Sequence, residues 1–137
     1  MKKILLLLFC FSLLACSKKN DLNIICEGSL EKLFIENNSL RPEPAENMIY
    51  LYRFADDKVF KNRYEYGFPC SENDDQHIKC IIDLTLGDGS ITTITVNKKS
   101  LFVTDKVIRK KPKSPDLPYS EVFSSKCKAI KPPSNSK

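Results

Sequence analysis

The densest grouping of side chains able to do chemistry is Glu72, Asp74, Asp75 and His77. Carboxylates beside an imidazole are donors for calcium or zinc. A calcium loop, however, needs alternating oxygen ligands around a glycine, and this spacing does not supply them. A solvated loop is the plainer reading, so no metal ligand is assigned. His77 is the single histidine of the chain. General-base work needs a nucleophile within reach and a carboxylate to orient the ring. Spacing nominates neither, and no activated nucleophile or carboxylate pair stands out elsewhere. No catalytic residue and no cofactor are therefore expected.

Cations offer a second kind of chemistry. Lys106, Arg109, Lys110, Lys111 and Lys113 lie within one short stretch, and Lys126, Lys128 and Lys131 follow. Such a group suits an anionic partner, either phosphate head groups or an acidic polymer. Its plain alternative is a solvated charged loop, kept extended by Pro112, Pro115 and Pro118. Tyr50, Tyr52, Phe54, Phe60, Tyr64, Tyr66 and Phe68 crowd together with Arg53 and Arg63 among them. An aromatic face stacks on sugar rings or on arginines. In a chain without tryptophan, the same residues serve equally as the core of a small sheet.

The elements that must position these groups are bounded by composition. The chain has 137 residues, 42% hydrophobic and 28% charged, which fits one globular domain and excludes a disordered tail protein. Setting aside Lys2 and Lys3, which stand in a segment expected to be removed, 20 of the 22 Lys plus Arg oppose 17 Asp plus Glu. A balance near +3 is too mild for a nucleic-acid binder.

Met1-Lys2-Lys3 is a short cationic start, and Ile4 to Ala15 is an apolar run interrupted by Cys10 and Ser12. The run is too short to span a bilayer, which needs about 20 residues as a helix. A cationic start, a short apolar stretch and a small residue at its end make a secretory signal. Leu13-Leu14-Ala15-Cys16 resembles the lipobox of bacterial lipoproteins. The resemblance implies cleavage after Ala15, a diacylglycerol on the Cys16 thiol and acylation of the new amine. Three acyl chains exceed the two signals a stable anchor needs. Ser17, rather than Asp, resembles the outer-membrane sorting choice of enterobacterial lipoproteins.

With Cys10 removed and Cys16 lipidated, Cys26, Cys70, Cys80 and Cys127 remain. Export places them in an oxidising compartment, where an even count reads as a disulfide framework with three possible connectivities. Cys70–Cys80 as a local staple and Cys26–Cys127 as a long closure between first and last strands is the favoured pairing. No CxxC spacing supports a zinc or redox site.

Period-two patterns dominate from Leu22 onward. His77 to Leu86 alternates Ile78, Cys80, Ile82, Leu84 and Leu86 with mostly polar residues. Gly87-Asp88-Gly89 and the β-rich run Ser90 to Val96 complete a hairpin. Met48 to Phe54 and Lys58 to Tyr66 flank a turn at Asp56-Asp57. Leu30 to Glu36, Leu101 to Ile108 and Glu121 to Ile130 are further strands, and Asp21 to Phe34 has room for a short turn. The expected fold is all-β: a small antiparallel meander, sandwich or barrel of seven or eight short strands with two disulfides. Residues 1–15 form the signal, 16–21 the lipidated cysteine and tether, 22–130 one domain and 131–137 a flexible tail.

A small disulfide-bonded β-domain behind a lipobox resembles several proteobacterial lipoproteins, and more broadly the membrane-bound lysozyme inhibitors, which are small β-barrels. Those inhibitors carry a Ser-Ala-Ser-Gly type segment. Here the comparable stretch is Leu86-Gly87-Asp88-Gly89-Ser90, so no inhibitory residue is carried over. The expectation is a non-enzymatic cell-envelope lipoprotein, held to a membrane by its lipid. It would act as a binding or assembly module for another envelope protein or an anionic polymer. Inhibition of an incoming lytic enzyme is the alternative.

Overall fold

The computed structural model describes residues 21–62 and 65–131. The signal segment, Cys16 and the tether up to Asn20 lie outside the described residues, as do Arg63, Tyr64 and residues 132–137. Every regular element is a strand: β1 (Leu22–Glu36), β2 (Ser39–Pro42), β3 (Glu46–Ala55), β4 (Lys58–Lys61), β5 (Phe68–Asn73), β6 (His77–Leu84), β7 (Ser90–Asn97), β8 (Phe102–Arg109), β9 (Ser120–Lys126) and β10 (Lys128–Ala129).

These strands pair antiparallel in the order β10-β1-β3-β4-β5-β6-β7-β8-β9. A second pairing of β1 with β9, from Ser29↔Ser124 to Leu33↔Ser120, closes the sheet into an eight-stranded barrel. The short strands β2 and β10 are additions at either end of β1. Closure removes the open edges that an antiparallel meander would expose. It depends on Gly28. A Cβ there would stand 2.4 Å from the Ser124 carbonyl oxygen and 2.6 Å from the Ser125 Cβ, so only glycine lets β1 and β9 approach.

Turn chemistry sets the register. Asn37 and Asn38, then Asp56 and Asp57, all adopt positive φ between 50° and 59°. Two such residues between Glu36↔Ser39 and between Ala55↔Lys58 are the signature of type I′ hairpins. The expected Asp56-Asp57 turn is therefore present.

The β6–β7 hairpin also forms, but its ladder stops at Leu84↔Ser90 rather than continuing to Leu86. The Leu84 carbonyl accepts hydrogen bonds from the Gly87 and Gly89 amides at 2.8 and 3.1 Å, and Asp83 Oδ1 accepts one from the Thr85 amide. Leu86 is thereby placed at the loop tip, 99% exposed.

Other boundaries differ from the sequence expectation for identifiable reasons. Leu22 to Glu36 is one 15-residue strand with no turn inside it, because both of its edges are paired. The strand expected from Lys58 to Tyr66 ends at Lys61, followed by Asn62 at a φ of 56°. The solvated loop expected around Glu72 to His77 is shorter, because Phe68–Asn73 is held in the sheet as β5 by pairing with β4 and β6.

Inward-facing side chains alternate along every long strand. Ile24, Cys26, Leu30, Tyr52, Phe54, Val59, Ile78, Cys80, Ile82, Ile94, Val96, Val103, Phe123 and Cys127 form one buried cluster. Two disulfides staple it: Cys26–Cys127 and, across paired positions of β5 and β6, Cys70–Cys80. The register defines two ends. Asp21, the 56–57 turn and the segments 74–76 and 98–101 lie at the near end. The 37–38 turn, the loop 85–89 and the loop 110–119 lie at the far end.

Candidate functional site

Two polar constructions stand out, one inside the barrel and one on its far shoulder. Inside, β8 turns Asp105 inward between Val103 and Val107, leaving its side chain 1% exposed. The Tyr52 hydroxyl donates to Asp105 Oδ2 at 2.8 Å, and Lys61 Nζ lies 2.8 Å from the same oxygen. That ammonium also sits 4.0 Å from the centre of the Tyr50 ring, which contacts Phe123 at 4.5 Å. Asp105 Oδ1 is buried without a hydrogen-bond partner.

Burial pushes the Tyr52 phenol far above its usual range, and the charge of Asp105 and the hydrogen bond to it push the same way. Burial likewise raises Tyr50, with Asp105, Glu121 and Glu46 adding to it. Both phenols are thus held neutral, the opposite of what a nucleophile or base requires. This arrangement positions β3, β4 and β8 against one another.

The cationic stretch divides on folding. Arg109 does not belong to an exposed patch: its side chain is 9% exposed and is turned into the far end of the barrel. There Nη1 donates to Glu121 Oε2 at 2.7 Å and to the Pro118 carbonyl at 3.1 Å, and Nε lies 3.4 Å from Asp88 Oδ2. Its even place in the β8 alternation, with Val103, Asp105 and Val107, dictates this inward course. Hydrogen bonds from the Ser90 amide and hydroxyl, together with Arg109, outweigh the effect of burial and hold Asp88 below the usual carboxylate range.

Lys113 donates to the Gly87 carbonyl and so ties the loop 110–119 to the β6–β7 tip. Lys106, Lys110 and Lys111 are exposed and form no ion pair among the described residues. Lys126 and Lys128 are exposed at the near end, so they belong to a different surface.

Between the outward faces of β7 and β8 lies a groove of about 230 Å³, lined by Thr85, Gly89, Ile91, Thr93, Lys106, Ile108 and Lys110. Ile91 and Ile108 are directly paired and form its floor. Position 89 has a φ of 80°, which glycine alone adopts freely, and a Cβ there would stand 3.4 Å from the Lys111 carbonyl oxygen.

The acidic group around His77 is occupied by turn formation. Asp74 Oδ1 accepts the Gln76 and His77 amides at 2.7 Å each, and these bonds lower the Asp74 carboxyl. Glu72 lies 3.6 Å from Lys79. Among the described residues, no three His, Cys, Asp or Glu side chains converge on a metal position. Of the aromatics, Tyr52 and Phe54 are core, Tyr50 packs against it, Phe60 lies outside under Arg53, and Tyr66 is 80% exposed. Comparison with protein-family models, curated proteins and solved structures finds no match for this chain.

Sequence reasoning missed the Lys61–Asp105–Tyr52 contact. The available signal was a carboxylate at an inward position of the alternation Val103, Asp105, Val107, which requires a buried partner.

Proposed function

We propose that this chain is a non-enzymatic cell-envelope lipoprotein, anchored through acylated Cys16. Its barrel is a binding or assembly module that presents Lys106, Lys110 and Lys111 to an anionic partner. The observation that supports this reading is position. Asp21 enters β1 at the near end, whereas Lys106 stands just past the middle of β8 and Lys110 and Lys111 in the loop beyond its far end. A tether from Ser17 to Asp21 reaches at most about 17 Å. The eight residues of β8 rise on the order of 20 Å once strand tilt is included. With the barrel upright on its tether, Lys110 and Lys111 stand well beyond a Debye length of about 10 Å from the anchoring head groups, and Lys106 about that length along β8. An envelope protein or polymer ahead of the barrel suits them better than the anchoring leaflet.

Cross-linking of the lipidated protein in intact cells, followed by mass spectrometry, tests this. One dominant envelope partner is expected, and it is lost when Lys106, Lys110 and Lys111 are replaced by Glu. A partner retained unchanged by that triple variant overturns the role of the lysines. Cys16→Ser is expected to abolish acyl labelling, and continued labelling overturns the anchor.

One observation favours a second reading, inhibition of an incoming lytic enzyme. Residues 34–41 of β1 and β2 project past the last pairing with β9 as a hairpin, with Ile35 and Leu40 paired at its tip and 48% and 57% exposed. A projecting arm of this kind fits a cleft. Titration of a soluble fragment, residues 21–137, into lysozymes of different classes decides: inhibition near stoichiometry favours it, and unchanged rates remove it.

A further inference from the structure

The groove on the outer face of β7 and β8 combines an aliphatic floor with cations on one side only. Ile91 and Ile108 are cross-strand partners, and both are partly exposed. Lys106 lies with Ile108 on the outward face of β8, and Lys110 lines the same groove just past the strand's last residue, Arg109. On the other side, Asp83 of β6 is paired with Ile91 and sets a carboxylate beside the floor. The groove therefore has its cations on the β8 side and the Asp83 carboxylate beyond Ile91 on the β6 side.

We infer that this groove binds an acidic peptide segment running along β8, with one aliphatic side chain on Ile91 and Ile108 and carboxylates on Lys106 and Lys110. The inference rests on the binding-module reading above and names its partner chemistry. An extended peptide with Glu at positions i and i+4 sets two carboxylates about 13 Å apart on one face with the side chain at i+2 between them, an order that matches two lysines on either side of Ile108 in the chain. Anionic polymers of phosphate or uronate match the lysines but offer nothing to the isoleucine floor. A lipid acyl chain matches the floor, but the groove is at the barrel end away from the tether. A peptide satisfies both the lysines and the floor, and the Asp83 carboxylate orients it with its carboxylates toward β8.

The test uses the full lipidated chain in detergent micelles with its isoleucine methyl groups isotopically labelled. Three probes are titrated: the peptide Glu-Ser-Leu-Ser-Glu, the same peptide with Gln for both Glu, and the same peptide with Ser for Leu. The Ile91 and Ile108 methyl signals are expected to shift with the first probe and to require at least tenfold higher concentration of the other two. Raising salt from 50 to 300 mM weakens the first probe several-fold if the lysine contacts carry it. Lys106→Gln with Lys110→Gln abolishes the preference for Glu over Gln while leaving the remaining methyl spectrum, and hence the fold, unchanged.

Equal shifts with all three probes overturn the proposal. So does binding of polyphosphate or phosphatidylglycerol vesicles at this groove with no response to the peptide. Loss of the cellular cross-link in the lysine variant, together with no peptide discrimination, removes the peptide chemistry and leaves the binding-module reading standing. An intact cross-link when Lys106, Lys110 and Lys111 are all replaced by Glu removes the role of the lysines, and the peptide site with it.

Discussion

The two disulfides close loops of very different length, and their removal should separate in energy. Cys26–Cys127 spans 101 residues and Cys70–Cys80 spans 10. In the chain-entropy treatment these correspond to about 4.7 and about 2.7 kcal/mol of restriction in the unfolded chain. The difference of about 2 kcal/mol depends only on the logarithm of the loop ratio, and the loss of sulfur contacts adds to it in the same direction, because Cys26, Cys127 and Cys80 are buried and Cys70 only partly so.

The folded context points the same way. Cys70–Cys80 joins positions already paired across a hairpin, whereas Cys26–Cys127 holds the first strand to the chain beyond β9, where the barrel closes. Urea unfolding of Cys26→Ala/Cys127→Ala and of Cys70→Ala/Cys80→Ala is the assay. With a urea dependence of roughly 1.5–2 kcal/mol/M for a domain of this size, the midpoints should lie about 1 M apart. The larger loss approaches the whole stability of a small domain, so both variants are best compared in a fixed concentration of stabilising sucrose. Equal midpoints, or a lower one for the short-loop variant, would refute the reasoning.

Three further outcomes follow from the interior. Lys61→Ala leaves the Asp105 carboxylate buried without its cation and should cost about 3 kcal/mol, toward the low end for such losses because Lys61 is 23% exposed. Adding Asp105→Asn should recover part of that, as read by urea midpoints. Gly28→Ala drives a Cβ into the Ser124 carbonyl and should cost about 1–3 kcal/mol or open the β1–β9 seam, visible as faster amide exchange at Ser29 and Glu31. Stability should hold up to about pH 10 and fall above it. The unfolded chain releases the Tyr52 proton there while burial and Asp105 keep it on in the folded chain. Tyr52→Phe should flatten that fall between pH 9 and 11, and an unchanged slope would exclude Tyr52 as its source.

The fold was legible wherever local pattern and turn chemistry agreed. Ile78, Cys80 and Ile82 alternate cleanly, and Asp56-Asp57 supplies the two positive-φ residues of a tight hairpin. The first strand was less legible, because Ile25 beside Ile24 and the small pair Gly28-Ser29 blur its alternation. Its continuity comes from neighbours on both edges, 90 or so residues away in the case of β9. The cationic group was legible as a run but not as a surface. Arg109 and Lys110 are adjacent in sequence, yet strand pleating turns one inward to Glu121 and the other out to solvent.

By itself, then, the sequence determined the strand class, the Asp56-Asp57 turn and the set of four cysteines available for disulfides, of whose three connectivities the structure selects the favoured one. These follow from period, from residues that tolerate positive φ, and from thiol count and order. Tertiary structure decided that the sheet closes, that Asp105 and Lys61 meet inside it, and that Lys106 and Lys110 flank an isoleucine floor at the end away from Asp21. Those facts depend on which distant strands become neighbours and on the face each side chain takes there. The Lys61–Asp105 contact is made across more than 40 residues, whereas the isoleucine floor forms between the neighbouring strands β7 and β8.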